Sequence, residues 1–386
     1  MARLRDLGTW VGGNTPSKAN PAYWTDGTVP WVSPKDMKVN EISSSEDCIT
    51  ELALVDGRLS MVPADSVLFV TRSGILSHTF PVAVTRLPVT INQDLKALTP
   101  KAGVSSKYVA HAIRGASQRI LRDCAKSGTT VPSIETSRLL DFEIPIDGLS
   151  EQLEVVAELE KQFSRLDEAV ANLQRVKANL SRYESATIVS LTNPDKFGPH
   201  VSGTIADVAI SLDYLRKPVN KAERATRPGD VPYLGANGQT GWIDRHLFDE
   251  EIVLVVEDET FVGRTAPFSY YFAEKCWVNN HTHVLRAKPG CVLPKYLNLA
   301  LAYYPFIPLT TGSTGRRKLT KGALMAAPIQ VPALTRQREV VAEVDRRLSF
   351  VRRVSEEVDT NLKRAQALRN ATLHKTFTSD WFGSAQ

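Results

Sequence analysis

The stretch Gln152-Leu153-Glu154-Val155-Val156-Ala157-Glu158-Leu159 returns near the end of the chain as Gln337-Arg338-Glu339-Val340-Val341-Ala342-Glu343-Val344. At the same offset, Ala186-Thr187-Ile188 falls on Ala371-Thr372-Leu373. Both copies read as helix. Leu159, Phe163, Leu166, Val170 and Leu173 alternate steps of four and three, which lays an apolar stripe along one face. Val344, Leu348 and Val351, then Val358, Leu362 and Ala365, do the same, with a slip near Val354. Neither Glu151–Leu191 nor Arg336–Thr376 contains Pro or Gly, so nothing breaks the backbone ladder. Ser150 and Thr335 are the candidate N-caps. A helix of about 40 residues is a rod of roughly 60 Å. Charge flanks each narrow stripe (Glu158, Lys161, Arg165, Glu168; Arg346, Arg347, Arg353, Glu357), as suits a two-helix coiled coil. Periodicity alone fits a dimerisation or spacer coil equally well. Repetition within one chain points to two helices that pack on each other and hold the segments before them apart.

The repeat divides the chain into a globular segment 1–149, a helix 150–192, a linker 193–205, a second globular segment 206–334, a helix 335–377 and a tail 378–386. Leu4–Val11 could open with a short helix, before the turn-rich Gly12-Gly13-Asn14-Thr15-Pro16-Ser17. Strands are expected at Ser66–Thr71, Val82–Val84 and Lys96–Leu98, and a helix over Lys107–Leu121. The second segment follows the same plan, with an apolar strand at Ile252–Val256, a polar-faced strand carrying His281 and His283, and a helix near Lys295–Ala302. Asn193-Pro194, Gly198-Pro199 and Gly203 make the break between the halves. The fold class is α+β, globular and rod segments alternating.

A net charge of +5 and a pI near 8.9 permit an anionic partner without demanding one. The four cysteines are scattered, and neither a signal segment nor a run of membrane-spanning length is visible. The expectation is a soluble, reduced, cytoplasmic protein.

Enzyme chemistry leaves little trace. Gly235-x-x-Gly238-x-x-Gly241 is not a dinucleotide fingerprint, and Gly312 to Lys318 lacks P-loop spacing. Asn193-Pro194-Asp195 lacks the second Pro and the aromatic of the adenine-methyltransferase signature. Asp94-x-Lys96 has no partner acid placed for a metal, and reads as strand-edge polarity. Cys276, His281, His283 and Cys291 fit no zinc spacing. Glu257-Asp258-Glu259 suits a metal or a solvated strand end alike. What recurs instead is Gly/Ser/Thr/Asn loops beside basic residues: Thr71-Arg72-Ser73-Gly74 and Lys126–Thr130, then Gly235–Gly241, Gly263-Arg264 and Gly312–Lys318. Any one is an ordinary turn; in both halves they are the material of phosphate and base contact.

The chain resembles the specificity subunits of type I restriction–modification systems over essentially its whole length. The resemblance rests on Gly12-Gly13-Asn14-Thr15-Pro16, Pro30-Trp31-Val32-Ser33-Pro34-Lys35-Asp36-Met37, Asp65-Ser66-Val67-Leu68-Phe69-Val70-Thr71-Arg72 and Asn92-Gln93-Asp94. The Pro145 to Glu151-Gln152 helix entry carries it too, as do Gly235-Ala236-Asn237-Gly238 and Trp277-Val278-Asn279-Asn280-His281. One departure is Arg336-Gln337 where Glu-Gln is common. The resemblance implies two target-recognition domains, each reading one part of a split site on double-stranded DNA, held apart by an antiparallel coiled coil of the two helices. It implies two methyltransferase subunits that methylate adenine, motor–nuclease subunits in the full complex, no membrane and no catalysis by this chain. It would bind no cofactor; S-adenosylmethionine, ATP and Mg2+ belong to the partners. The DNA-contact candidates are Lys35, Arg72, Ser73, Asn92, Gln93, Lys96, Lys126, Thr129 and Thr130 in the first half. In the second they are Lys217, Asn237, Gln239, Arg264, Asn280, His281, Ser313, Thr314, Arg316 and Lys318. The alternative is a non-catalytic coiled-coil scaffold without DNA specificity, separable by the salt dependence of DNA binding.

Overall fold

The computed structural model describes residues 1–128, 130–196, 198, 200–259, 261–312 and 317–377. The chain forms two compact units, Met1–Leu173 with Thr360–Gln386, and Gln174–Asp359. Each contains a mixed α/β domain and a segment of both long helices.

In the first unit the central strand β1 (Val67–Val70) is a run of four apolar residues, all of them buried. Such a run has no polar face to offer solvent, so the strand must lie inside a sheet covered on both sides. The sheet runs in the order Gly8–Gly12, Leu95–Pro100, β1, Val82–Thr85, Glu41–Ile42, with only the last pair parallel. A smaller sheet joins Asp47–Ile49, Val29–Val32 and Thr90–Ile91. Helix α1 (Ser106–Gly115), capped by the Ser105 hydroxyl, packs on the Val82–Thr85 strand. Ala2–Arg3 pairs with Glu143–Ile144, returning the chain to its start just before the first long helix, α2 (Leu149–Leu191).

The second unit repeats the plan. Its central strand β2 (Ile252–Val256) is five aliphatic residues, all buried, between Thr282–Ala287 and Ser269–Phe272, with Ala209–Ser211 at the edge. A three-stranded sheet of Gly238–Ile243, Val231–Gly235 and Trp277–Val278 matches the smaller sheet of the first unit, its last strand again parallel. Helix α3 (Pro294–Ala302) packs on β2 and on Ser269–Phe272. Pro328–Pro332, paired with His200–Thr204, leads into the second long helix, α4 (Leu334–Phe377).

The two long helices run antiparallel within each unit. In the first, Val156, Leu159 and Phe163 share a buried cluster with Leu373 and Phe377, and the Arg369 guanidinium lies 4.6 Å from the Phe163 ring while bonding Asp167. In the second, Ile188 sits with Val340, Val344, Leu348 and Val351, and Lys177 meets Asp359 at 2.6 Å. Away from the domains Leu166, Val170 and Leu173 are only half-buried, as expected of a two-helix seam.

The short helix expected at the start of Leu4–Val11 is present as the 3-10 helix Leu4–Leu7, and Gly8–Gly12 after it is a strand paired with Leu95–Pro100. Three local expectations change. The helix expected over Lys107–Leu121 is two, α1 and Ser117–Asp123, broken at Ala116. Ser150 and Thr335 are not N-caps: Gln152 N–H already bonds Gly148 O and Gln337 N–H bonds Ala333 O, so both helices begin earlier. Finally, His281 and His283 do not share a strand face. His281 lies in the turn before Thr282–Ala287, half-exposed, whereas His283 is 1% exposed inside it.

Candidate nucleic-acid interface

Both central strands end at the same construction. Beyond β1, the Thr71 and Arg72 N–H groups donate to Asp94 O at 2.8 and 3.3 Å, and Thr71 O accepts from Ile134 N–H at 2.8 Å. Arg72 bridges Ser133. Beyond β2, Glu257 N–H donates to His281 O at 3.1 Å and Glu257 O accepts from Leu319 N–H at 2.8 Å, with Asp258 paired to Lys318. In each half an asparagine folds the middle loop. Asn92 N–H reaches Val32 O while its Oδ1 takes the Asp94 N–H; Asn279 N–H reaches Leu234 O while its Oδ1 takes the His281 N–H. Three loops far apart in sequence are thereby tied together by backbone bonds. The side chains they carry differ: Arg72, Asp94 and Ser133 occupy the places of Asp258, His281 and Lys318.

In the first unit this gathers Arg72, Ser73, Asn92, Gln93 and Lys126. Arg72 and Gln93 are exposed, and Ser73 Oγ accepts from Ile75 N–H to cap a short turn. Gln93 bonds Thr15, and Gly13 lies so close that a Cβ there would sit 2.1 Å from the Ile91 and Asn92 carbonyl oxygens. Lys126 N–H donates to Ser133 O at 2.9 Å, and Thr130 is exposed nearby in the chain. The Lys96 ammonium lies over Gly12. Asn92, 5% exposed, is turned inward, and Lys35 is held by Glu46 and Asp47 at 3.1 and 2.9 Å. Thr129 lies outside the described residues.

In the second unit Asn280, His281 and Lys318 come together. His281 Nδ1 is 2.5 Å from Asp258, and Lys318 Nζ is 3.1 Å from Glu257. Asn237, at the turn of the hairpin Val231–Ile243, meets Arg264, which follows β2 in the chain. Arg264 donates to Asn237 Oδ1, Ala266 O and Pro267 O, so its guanidinium braces a loop. Gln239 is exposed on that hairpin, and Lys217 is exposed while its own backbone O takes the Trp277 indole N–H at 2.7 Å. Ser313, Thr314 and Arg316 lie outside the described residues.

Beneath this surface is a buried ionic network that sequence inspection missed. Arg216 donates to Glu257 at 2.5 Å and to Thr282 O at 2.7 Å. His283 contacts Asp213 through Nδ1 at 2.6 Å and Leu319 O through Nε2 at 2.8 Å. Burial works to raise both carboxyls, but the Arg216 hydrogen bond to Glu257 and the His283 hydrogen bond to Asp213 overcome it and hold both below the usual range. The network anchors the strand end and the Arg317–Leu319 loop to the sheet. Glu257 and His283 stand out in the sequence as residue types, but their meeting with Arg216 and Asp213 does not. No group of three or more His, Cys, Asp or Glu suited to a metal occurs among the described residues, and Cys276 is buried in a core cluster away from exposed Cys291.

A duplicated recognition-type domain carried on paired antiparallel helices defines the class of protein. The chain belongs to the type I restriction modification DNA specificity domain family, whose model matches residues 1–177 and again 202–349. It is 38% identical over 182 residues to the Type I restriction enzyme EcoR124I/EcoR124II specificity subunit of Escherichia coli, covering 47% of this chain and 45% of that one. Identity to the MjaIX specificity subunit of Methanocaldococcus jannaschii is 31% over 178 residues, covering 45% and 39%. The chain thus spans less than half the length of these two curated relatives. A solved chain, from a study of complex assembly and conformational transition of the type I R-M system, superposes with a TM-score of 0.72 at 17% identity, covering 98% of this chain and 97% of its own, and shares the fold. No helix among the described residues is long and apolar enough to cross a membrane.

Proposed function

We propose that this chain is the DNA-specificity subunit of a cytoplasmic type I restriction–modification complex. Each half reads one part of a split site on double-stranded DNA, and the paired helices set the unread spacer between them. One observation carries this: the same three-loop construction is built twice on the same scaffold with different side chains at matching places. Arg72 suits guanine N7 and O6, whereas Asp258 suits an exocyclic amino group, so the halves would read different sequences. Lys126 and Lys217 are suited to phosphates, which position without specifying.

Adenine methylation with S-adenosylmethionine, and ATP- and Mg2+-dependent restriction, belong to two methyltransferase subunits and to motor–nuclease subunits; this chain binds none of those cofactors. In the first unit a groove of about 370 Å3 between Val155–Gln162 and Leu368–Thr376 is suited to a methyltransferase element. The test is methylome sequencing of a methylation-free host expressing this chain with its neighbouring methyltransferase, against the methyltransferase alone. A split adenine-methylated motif should appear only with this chain. Unchanged methylation, with the partners soluble and co-purifying, would favour the coiled-coil scaffold instead.

A further inference from the structure

Gln152 and Gln337 begin the two long helices, and each is fully buried. A glutamine amide has two N–H donors and one carbonyl acceptor, and both residues use all three identically. Gln152 Oε1 accepts from Ser105 N–H at 2.8 Å, while Nε2 donates to Gly103 O at 3.0 Å and Asp147 O at 2.8 Å. Gln337 Oε1 accepts from Leu293 N–H at 2.8 Å, while Nε2 donates to Cys291 O at 3.1 Å and Pro332 O at 2.8 Å. Every partner is a backbone group. The clamped loops, Gly103-Val104-Ser105 and Cys291-Val292-Leu293, share only the valine, yet the bonds are the same.

The position of these bonds matters. Residues 103–105 lead into α1 and residues 291–293 lead into α3, so one planar amide ties the start of a domain helix to the start of a long helix. A second tie lies further along each pair: Lys107 meets Glu160 at 2.5 Å, and Lys295 meets Asp345 at 3.9 Å. Two separated ties prevent both rocking and rotation of a domain on its own long helix. The exposed ion pairs are weak on their own, so the buried amide is the rigid member. Without it, the joints at Asp147-Gly148 and Pro332-Ala333 lose their directional bonds and keep the ion pair and the non-directional apolar packing between each domain and its long helix.

We infer that Gln152 and Gln337 are positioning residues for spacer discrimination: each fixes the direction in which a recognition domain leaves its long helix, and so the separation at which two half-sites are accepted. This rests on the specificity function proposed above. A stability role alone would lower the melting temperature without changing which spacers are bound.

The experiment uses the full chain in complex with its neighbouring methyltransferase, on duplexes carrying the wild-type split site with spacers of native length and one or two base pairs longer or shorter. Q152M and Q337M each remove one clamp, and Val109→Ala, a buried position on α1, supplies matched destabilisation. Both clamp variants should bind the native half-sites but lose preference for the native spacer by about tenfold, whereas V109A should keep it. Native preference in folded Q152M and Q337M, or equal relaxation in V109A, overturns the inference. Because the clamps lie in different halves, one folded variant suffices. Failure of the specificity function itself shows separately, as the absence of any split motif with the wild-type chain.

Discussion

His111 illustrates how far one side chain can diverge between halves built alike. It lies on α1, 7% exposed, at the place that Leu299 takes on α3. Burial, and then the charges of Arg114, Lys107 and Arg369, push its pKa down to about 3, with Glu41 opposing. An unfolded histidine titrates near 6.5. Above that pH the residue is neutral in both states and costs nothing. As pH falls from there towards 3, the unfolded chain takes up a proton that the folded chain refuses, so stability is lost by up to about 1.4 kcal/mol per pH unit. His111→Leu should remove that loss: urea melts of wild type and variant should diverge steadily from pH 6.5 to pH 4.5. Parallel pH slopes would show that His111 takes its proton in the fold. Nothing in Tyr108-Val109-Ala110-His111 announces this, because the largest cause is burial in the folded unit, with Arg114 and Lys107 beside it on the helix and Arg369 adding a smaller share from far along the chain. The same limit applied to the nominated contacts. Arg72 and Gln93 remain exposed, whereas Lys35 and Arg264 are of the right type but are held by Glu46, Asp47 and loop carbonyls. Residue type is legible in a sequence; the tertiary partner that consumes it is not.

Elements were legible where one period runs unbroken. Both long helices and both central strands appear in sequence because their apolar patterns are set by local geometry. The break at Ala116 was not, because its cause is a neighbour. A Cβ on Gly115 would lie 2.8 Å from Leu373 O and 3.4 Å from the Phe377 ring, so α1 ends in a glycine where α4 crosses it. G115A should therefore destabilise the first unit by about 1–3 kcal/mol despite the better helix propensity of alanine. Gly322, in the helix Lys321–Ala326, has nothing within 4 Å of its Cβ position. G322A should be neutral, or stabilising by up to about 1 kcal/mol. Thermal unfolding of the two variants side by side distinguishes a packing contact from simple propensity. If G115A is as harmless as G322A, the close approach of α4 to α1 is wrong.

At the scale of the whole molecule, the doubling was visible because it is carried by contiguous text. The proposed reading surfaces were not, because each is assembled from loops around residues 71, 94 and 133, or 257, 281 and 318, tied together by backbone bonds. This division suggests how the protein can be altered. Side chains on the loops can change without disturbing the bonds beneath them, while helix length can change without touching the loops. Removing seven residues from α2 and the seven facing them in α4 keeps the apolar stripes in phase, since the seam repeats every seven. It shortens the pair by about 10 Å at 1.5 Å per residue, equivalent to about three base pairs at 3.4 Å each. Methylome sequencing of the deleted form should return both original half-sites with a spacer shorter by about that amount. Half-sites that change would mean that the helices contribute to base reading, and an unchanged spacer would mean that the coil is not what measures it. Deleting from one helix alone should instead put Lys177 out of reach of Asp359 and abolish the motif altogether.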